Sequence, residues 1–323
     1  MTPALYAGID LGGTNLSVAL ADGAGTVLGE LKQPTLSYEG PAAVLERMAR
    51  MVNLLAQRAG VRPGAVGIGI PGLVDIAAGV TKFLPNLPTQ WRDIPVRATL
   101  EPKVGCPVHI LNDARAATLG ELVFGRGRTS QTMVFFGLGT GVGGGVVVDG
   151  RLRLGPLGAA GELGHQTILP DGPLCGCGNR GCLETFISGP ALTAEGVRLF
   201  LAGNAPKLHE LCQGDMAKVS PITMAAAAEA GETSVRVAIA RAAECLGIGA
   251  ANLIVALHPD LIVIGGGVSE MGELLLEPIR ETIRRRVGML PVSGVRLERS
   301  ELGDKAGLMG GIALAVRGGV APA

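Results

Sequence analysis

Two apolar runs joined by a glycine-rich turn occur twice in this chain, and this repeat restricts the fold more than any other feature. Leu5–Asp10 and Leu16–Ala21 flank the first turn, whereas Met133–Phe136 and Val146–Val148 flank the second. Each unit predicts a strand, a tight turn and another strand. A length of 323 residues suits two domains. The repeat therefore predicts two related α/β halves that face each other across a cleft.

Strands and helices alternate along the rest of the predicted structure. Asp113 follows a buried strand, and it is the expected N-cap of the next helix. Apolar spacing and turn residues give the remaining elements. Further strands are expected at Thr26–Leu31, Ala65–Ile70, Pro107–Leu111 and Leu261–Ile264. Helices are expected at Pro41–Ala59, Ala114–Phe124, Glu270–Val287 and Lys305–Val316, and over much of Gly189–Ala256.

Charge and apolar patterning exclude several classes of function. The chain has 28 basic and 28 acidic residues, a balance that disfavours a nucleic-acid partner or an anionic membrane surface. The first residues lack the basic region of a signal peptide. Polar residues and glycines interrupt Leu253–Val268 too often for a membrane span. We therefore expect a cytoplasmic protein that acts on a small polar substrate.

Two glycine-rich loops are candidates for phosphate binding. Gly139–Gly144 satisfies the dinucleotide pattern G-x-G-x-x-G, but the β-branched run Val146–Val148 follows it instead of a helix. The Walker A triplet Gly-Lys-Ser/Thr is absent from the sequence. Gly12–Asn15 and Gly137–Gly141 are either simple hairpin turns or nests of backbone N–H groups that hold phosphate oxygens. Two such loops, with Asp10 at a strand end, favour a nucleotide.

A cluster of potential metal ligands lies in the second half of the chain. Its four members fall within eighteen positions: His165, Cys175, Cys177 and Cys182. One imidazole and three thiolates satisfy the tetrahedral preference of zinc, and a site filled by four protein ligands is structural. The alternative is a set of reduced thiols in a loop. The other cysteines are expected to pack as small apolar residues: Cys106, Cys212 and Cys245.

Five motifs in order resemble the ROK family (repressor, ORF, kinase) of the actin and hexokinase superfamily. They are GIDLGGTN, LNDARAATLGE, GLGTGVGGGVV, GELGH and CGCGNRGCLE, and the likeness covers nearly the whole chain. The resemblance implies an α/β, two-domain actin/hexokinase-like (ribonuclease H-like) fold with a central cleft. It implies a small domain at 1–112, completed by a C-terminal helix within 305–323, and a large domain at 113–304 that carries the zinc loop.

The resemblance also implies a reaction, namely phosphoryl transfer from ATP to the 6-hydroxyl of a hexose. An alcohol is a poor nucleophile, so the transfer needs a base. Asp113 would take the proton, although the same side chain could serve only as a helix cap. Glu162 and His165 stand three residues apart, on one face of a helical turn. The implied sugar-binding residues are Pro71, Gly72, Asn112, Asp113, Glu162, His165 and Glu184.

The donor side follows from the same resemblance. Asp10 would support Mg²⁺, the two loops would cradle phosphates, and Gly265–Gly267 would border the adenosine. The implied nucleotide contacts are Asp10, Gly12, Gly13, Thr14, Asn15, Gly139, Thr140, Gly141, Gly265, Gly266 and Gly267. Asn15 departs from a common family form, in which a lysine follows the threonine of the first loop. More of the charge relief must then come from Mg²⁺ and backbone dipoles.

Several alternatives stay open within the family. The cysteine motif looks most like that of bacterial glucokinases, which implies glucose as the substrate and a role in glycolysis. Kinases for N-acetylmannosamine, fructose and allose use similar motifs, and polyphosphate is an alternative donor. A sugar-responsive repressor would carry a winged helix ahead of the core, whereas the first strand here begins near residue 5. A non-catalytic sugar sensor is a third possibility. We expect a homodimer or homotetramer.

Overall fold

The computed structural model describes residues 4–84, 87–88, 90–156 and 158–320. The strands are β1 (Leu5–Leu11), β2 (Asn15–Asp22), β3 (Val27–Pro34), β4 (Val66–Ile70), β5 (Leu73–Asp75), β6 (Val80–Phe83), β7 (Val108–Asn112), β8 (Met133–Leu138), β9 (Val142–Val148), β10 (Arg151–Arg153), β11 (Leu261–Gly265) and β12 (Arg296–Arg299). The helices are α1 (Pro41–Ala59), α2 (Val96–Val104), α3 (Asp113–Phe124), α4 (Glu184–Ile187), α5 (Gly189–Leu201), α6 (Pro206–Leu211), α7 (Pro221–Glu229), α8 (Thr233–Leu257), α9 (Glu273–Arg286) and α10 (Ala306–Val316).

Two five-stranded sheets repeat one strand order. The first sheet runs β3-β2-β1-β4-β7, and the second runs β10-β9-β8-β11-β12. In the first sheet β1 pairs antiparallel with β2 and parallel with β4, while β7 is parallel to β4. In the second sheet β11 is parallel to both β8 and β12. The predicted repeat of strand, turn and strand is therefore part of a longer repeat of five strands.

The chain forms two compact units. The first comprises 1–130, 145–161 and 304–323, and the second comprises 131–144 and 162–303. Our boundary between Asn112 and Asp113 falls inside the first unit, because α3 packs on α10 there. Apolar side chains from β1, β2, β4 and α1 form the core of the first unit.

Glycines let α10 approach the first sheet closely. A Cβ at Gly67 would lie 2.0 Å from the carbonyl oxygen of Gly311, and a Cβ at Gly8 would lie 2.5 Å from that of Leu308. Where α10 packs on α3, a Cβ at Gly310 would lie 1.9 Å from the carbonyl oxygen of Ala116. Real Cβ atoms do not approach an oxygen so closely, so none of these glycines can be replaced without moving the helix.

The second glycine loop is shorter than the sequence predicts. We expected a loop up to Gly145, but β9 begins at Val142. A Cβ at Gly144 would meet the side chain of Leu163 at 2.7 Å, and a Cβ at Gly145 would meet Thr118 at 2.2 Å. Their neighbours occupy the space of the absent side chains, so these glycines belong to a packed strand and not to a turn.

The cap of α3 also differs from the prediction. The N-cap is Asn112, not Asp113, because the backbone of Asn112 is extended and its side chain accepts hydrogen bonds from the N–H groups of Ala114 and Arg115. Asp113 is the first helical residue, where a carboxylate interacts favourably with the helix dipole.

One helix in the described part of the chain, α8, is long and apolar enough to cross a membrane. More than half of its most apolar window is buried in the structure. It packs against α5, α7 and α9. A core helix of a soluble protein passes the same test of length and composition, so α8 is weak evidence for a membrane span.

Candidate functional site

The segment Gly12–Asn15, which comprises the turn after β1 and the first residue of β2, is held by the chain that follows β3. The Thr35 hydroxyl donates to the carbonyl of Gly12 at 2.7 Å, and the Thr35 N–H donates to the carbonyl of Thr14 at 2.8 Å. Thr35 is 0% exposed, whereas Gly13, Thr14 and Asn15 are exposed. The loop is thus anchored on one side and presents its backbone to solvent on the other, as an anion-binding nest requires.

A buried arginine on α1 supports this anchor. Arg47 Nη1 donates to the carbonyl oxygen of Thr35 at 2.6 Å, and Nη2 pairs with the carboxylate of Glu39. Because Arg47 is fixed by packing and by Glu39, it holds the backbone of Thr35 in place from behind. Sequence analysis missed both Thr35 and Arg47, since a threonine after a strand and an arginine in a helix carry no motif.

Asp10 lies near the end of β1, beside the loop, and is partly buried. Burial and, second, the negative charge of Asp113 raise its pKa from 3.8 to about 6, while Lys32 acts in the opposite direction. Asp10 and Asp113 form an acidic pair whose repulsion a divalent cation can relieve. The residues therefore suit the Mg²⁺ that the sequence implies.

The raised pKa of Asp10 predicts an effect on stability. The native state binds the Asp10 proton more tightly than the unfolded chain between pH 4 and 6, so ionised Asp10 destabilises the fold above that range. Without ligands, Asp10→Asn should stabilise the protein at pH 7.5 by about 2 kcal/mol, a figure discounted for partial exposure. Thermal melting of both proteins from pH 4 to 8 measures this difference. The gain should vanish towards pH 4, and a lower melting temperature for the variant at pH 7.5 would contradict it.

Asn112 and Asp113 lie where β7 passes into α3. The Asn112 amide donates to the carbonyl of Gly72 at 3.0 Å, and its oxygen accepts from Arg115 Nη1 at 3.1 Å. Asp113 Oδ1 accepts from the N–H of Ala114 at 2.8 Å. The predicted residues Gly72, Asn112 and Asp113 thus lie together in the first unit, and Pro71 precedes Gly72 at the end of β4.

Arg115 is 1% exposed and was not among the predicted site residues. Its Nε donates to the carbonyl of Ala160 and its Nη2 to that of Ala159, both at 2.8 Å. Together with the bond to Asn112, these contacts fix the amide that precedes Asp113. Its position inside the motif LNDARAATLGE is the one sequence signal that could have identified it.

The second loop, Gly139–Gly141, is joined to Glu184 in the second unit. Glu184 Oε2 accepts from the N–H of Val142 at 2.9 Å, and a Cβ at Gly141 would lie 2.3 Å from that oxygen. The carbonyl of Gly139 accepts from the N–H of Gly189, the first residue of α5, at 2.8 Å. Gly141 must therefore lack a side chain, because Glu184 occupies the space beside it.

The third glycine segment borders the same loop. Gly265 ends β11 opposite Gly137 of β8. Gly266 has a φ of 81°, and a Cβ there would lie 2.4 Å from the carbonyl oxygen of Leu138. A Cβ at Gly267 would meet nothing within 4 Å, so that position is open. The predicted residues of the two glycine segments are thus neighbours in the second unit.

The four predicted metal ligands converge in the second unit. The ligand atoms of His165, Cys175, Cys177 and Cys182 all lie within 4.8 Å of one another. His165 Nδ1 lies 3.6 Å from Cys175 Sγ, while its Nε2 lies 3.9 Å from Glu162 Oε2. Glu162 and His165 point together across a 3-10 turn. Cys175 Sγ also lies 3.8 Å from Glu184 Oε1, so the cluster adjoins both predicted sugar-binding carboxylates.

The chemistry of this donor set suits zinc. Burial raises the pKa of the Cys175 thiol and raises that of Cys182 to about 12, whereas the backbone N–H of Asn179 lowers that of Cys177. The two buried thiols, Cys175 and Cys182, favour their protonated forms, and a bound metal would displace those protons and hold the thiolates. One nitrogen and three sulfur donors are the tetrahedral set of a structural zinc site.

Two sheets of equal strand order, each with a glycine hairpin after its first strand, define an actin/hexokinase-like protein. A profile of the ROK family matches residues 6–317. The chain is 36% identical to a glucokinase of Thermotoga maritima over 94% of each chain. A ROK family glucokinase of Streptomyces griseus, solved with glucose and AMPPNP, superposes with a TM-score of 0.85 and 35% identity over 97% of this chain and 100% of that one. A xylose repressor of Caldicellulosiruptor bescii is 33% identical over 96% of this chain and 77% of its own length. The chain belongs to the ROK family, which confirms the predicted family and fold.

Proposed function

We propose that this protein is a hexose kinase that transfers a phosphoryl group from ATP to the 6-hydroxyl of glucose. The observation that best supports this proposal is that Asp113 lies in the same compact unit as Asp10 and the loop Gly12–Asn15. Besides burial, the charge of Asp113 raises the pKa of Asp10, and Asp10 lies beside the loop proposed for the phosphates. The glucokinases among the relatives support this reaction and this acceptor.

The proposed mechanism assigns the proton transfer to Asp113. Its carboxylate accepts the proton of the sugar hydroxyl as the oxygen attacks the γ-phosphorus, and the bond to the leaving group, ADP, breaks. Asn112 orients ring hydroxyls, because Gly72 and Arg115 hold its amide in one orientation. Mg²⁺, when bound beside Asp10, supplies charge neutralisation on the donor phosphates.

The metal loop would contribute the other sugar contacts. Zinc, when bound by His165 and the three cysteines, supplies a cross-link that orders a glycine-rich segment. That segment carries Glu162 and leads directly into Glu184, so its order would position two carboxylates for sugar hydroxyls. His165 would bind the sugar as well as the metal.

A second candidate is a sugar sensor without catalysis, which the xylose repressor among the relatives favours. Incubation with ATP, Mg²⁺ and glucose separates the two, since a kinase forms ADP in proportion to sugar and a sensor does not. A panel of glucose, N-acetylmannosamine, fructose and allose, each tested with ATP and with polyphosphate, then defines the acceptor and the donor.

We further propose that the protein is cytoplasmic and forms a homodimer or homotetramer. Light scattering measures the mass of the particle and so tests the number of subunits.

Substitution of Thr35 should weaken the binding of ATP more than the binding of glucose. Thr35→Val keeps the side-chain volume but removes the hydroxyl that donates to Gly12, so the loop should lose order. We expect the KM for ATP to rise about fivefold, the effect of one lost hydrogen bond. The KM for glucose should stay within twofold, and Thr35→Ser, which keeps the hydroxyl, should resemble the parent. Equal KM values for ATP in the Val variant and the parent would contradict a role for the anchor.

A further inference from the structure

We propose that Lys32 on β3 binds the phosphate chain of ATP beside the loop Gly12–Asn15, in place of the lysine that Asn15 replaces in the common family form. This inference rests on the proposed kinase function and adds to it a residue that the loop motif does not contain. Lys32 lies seventeen positions after Asn15 in the sequence, so only the pairing of strands reveals it.

Strand register places Lys32 on the face of the sheet that carries Asp10. Asp10 of β1 lies opposite Ser17 of β2, and Ser17 lies opposite Lys32 of β3. Residues directly opposite in an antiparallel pair point to the same face. Asn15 is two residues before Ser17 on β2, and side chains two apart in a strand also share a face. A lysine at position 15 and the lysine at position 32 would therefore project to the same side.

The end of β3 is fixed relative to the loop. Asn15 pairs with Pro34, and Thr35 donates two hydrogen bonds to loop carbonyls. β3 lies two strand spacings, or roughly 10 Å, from β1. The flexible four-carbon stem of Lys32 can cover part of that distance towards Asp10 and the loop. Even without a nucleotide, the positive charge of Lys32 acts to lower the pKa of Asp10.

The charges on this face leave Lys32 available for an anion. Lys305, which precedes α10, pairs with Glu30 at 3.0 Å, and Glu30 is two residues before Lys32 on the same face of β3. Lys32 itself is exposed and forms no ion pair with any described residue. The first turn of α10 adjoins Asp10, since a Cβ at Gly307 would lie 2.9 Å from its carboxylate. Lys32 is thus a free cation at a surface where phosphate charge must be balanced.

The test compares Lys32→Met and Lys32→Arg with Lys103→Met, a distant lysine that pairs with Glu46. Steady-state kinetics gives the KM for ATP and for glucose, and calorimetry gives the affinity for AMPPNP without turnover. We expect Lys32→Met to raise the KM for ATP and the Kd for AMPPNP about tenfold, the effect of a lost charge-assisted contact. The KM for glucose should change less than twofold. Lys32→Arg and Lys103→Met should resemble the parent.

A second variant makes the result specific. Asn15→Lys in the Lys32→Met background should recover most of the affinity for AMPPNP, because it restores a cation on the same face. A Lys32→Met protein that binds AMPPNP as tightly as the parent overturns the inference, and so does an absent recovery in the double variant. A parent protein that binds AMPPNP but forms no ADP with any sugar would instead overturn the proposed kinase function. The two failures are therefore distinguishable.

Discussion

Asp113→Asn should lower kcat by about 10² to 10⁴, the range expected when a general base is lost. The amide keeps the size of the side chain, and its oxygen can still accept from the N–H of Ala114. It cannot accept the proton of the sugar hydroxyl. The Kd for glucose should therefore stay within about threefold of the parent value. Rapid-quench kinetics at saturating substrates measures the chemical step directly.

The control is Asp93→Asn, which removes a surface carboxylate paired with Lys82 and should leave kcat unchanged. A second readout follows from the electrostatics, because the charge of Asp113 contributes to the raised pKa of Asp10. The neutral amide should lower the pKa of Asp10, which a titration of the labelled carboxylates by NMR can detect. Turnover within a few-fold of the parent would show that another group takes the proton.

Removal of the proposed zinc should weaken glucose binding strongly, while nucleotide binding largely survives. The thiolates gather from a glycine-rich loop, so metal binding and local folding are coupled. Chelation or Cys177→Ser should release Glu162 and Glu184, and we expect the Kd for glucose to rise more than about tenfold. Affinity for AMPPNP should fall at most about threefold, since one contact between Glu184 and Val142 is affected.

The experiment pairs metal analysis with titrations of sugar and nucleotide on the same samples. Cys245→Ser changes a cysteine outside the metal cluster and should retain metal and both affinities. We expect one zinc per chain. Its loss should parallel the loss of glucose binding, and glucose binding should recover when zinc is added back. A metal-free protein with full affinity for glucose would contradict the role of this loop.

The sequence was sufficient to predict the repeated hairpins and the convergence of the four candidate metal ligands, because both depend on residues close together in the chain. Cys175 and Cys182 are separated by a few glycine-rich positions, and the predicted ligands do meet in space. The cap of α3 was wrong, since an asparagine and an aspartate are equally good caps by type. Only the backbone angles at Asn112 decide between them.

The residues that the sequence did not reveal act through long-range contacts. Thr35 reaches Gly12 across 23 positions, and Arg115 reaches Ala160 across 45. No local periodicity encodes such pairs, since the pairing of strands and helices creates them. The length of the second glycine loop was also wrong, because Gly144 and Gly145 are required by Leu163 and Thr118, which lie elsewhere in the sequence.

The position of α10 has a consequence for how the protein is made. The first compact unit contains residues from both ends of the described chain, and α10 packs on β1, β4 and α3. During translation at 5–20 residues per second, β1 and β4 leave the ribosome roughly 10 to 50 s before α10 does. Throughout that interval the groove formed by Gly8 and Gly67 has no helix in it. Completion of the first unit therefore waits for α10, and until α10 has been made the nascent chain offers chaperones an open apolar surface.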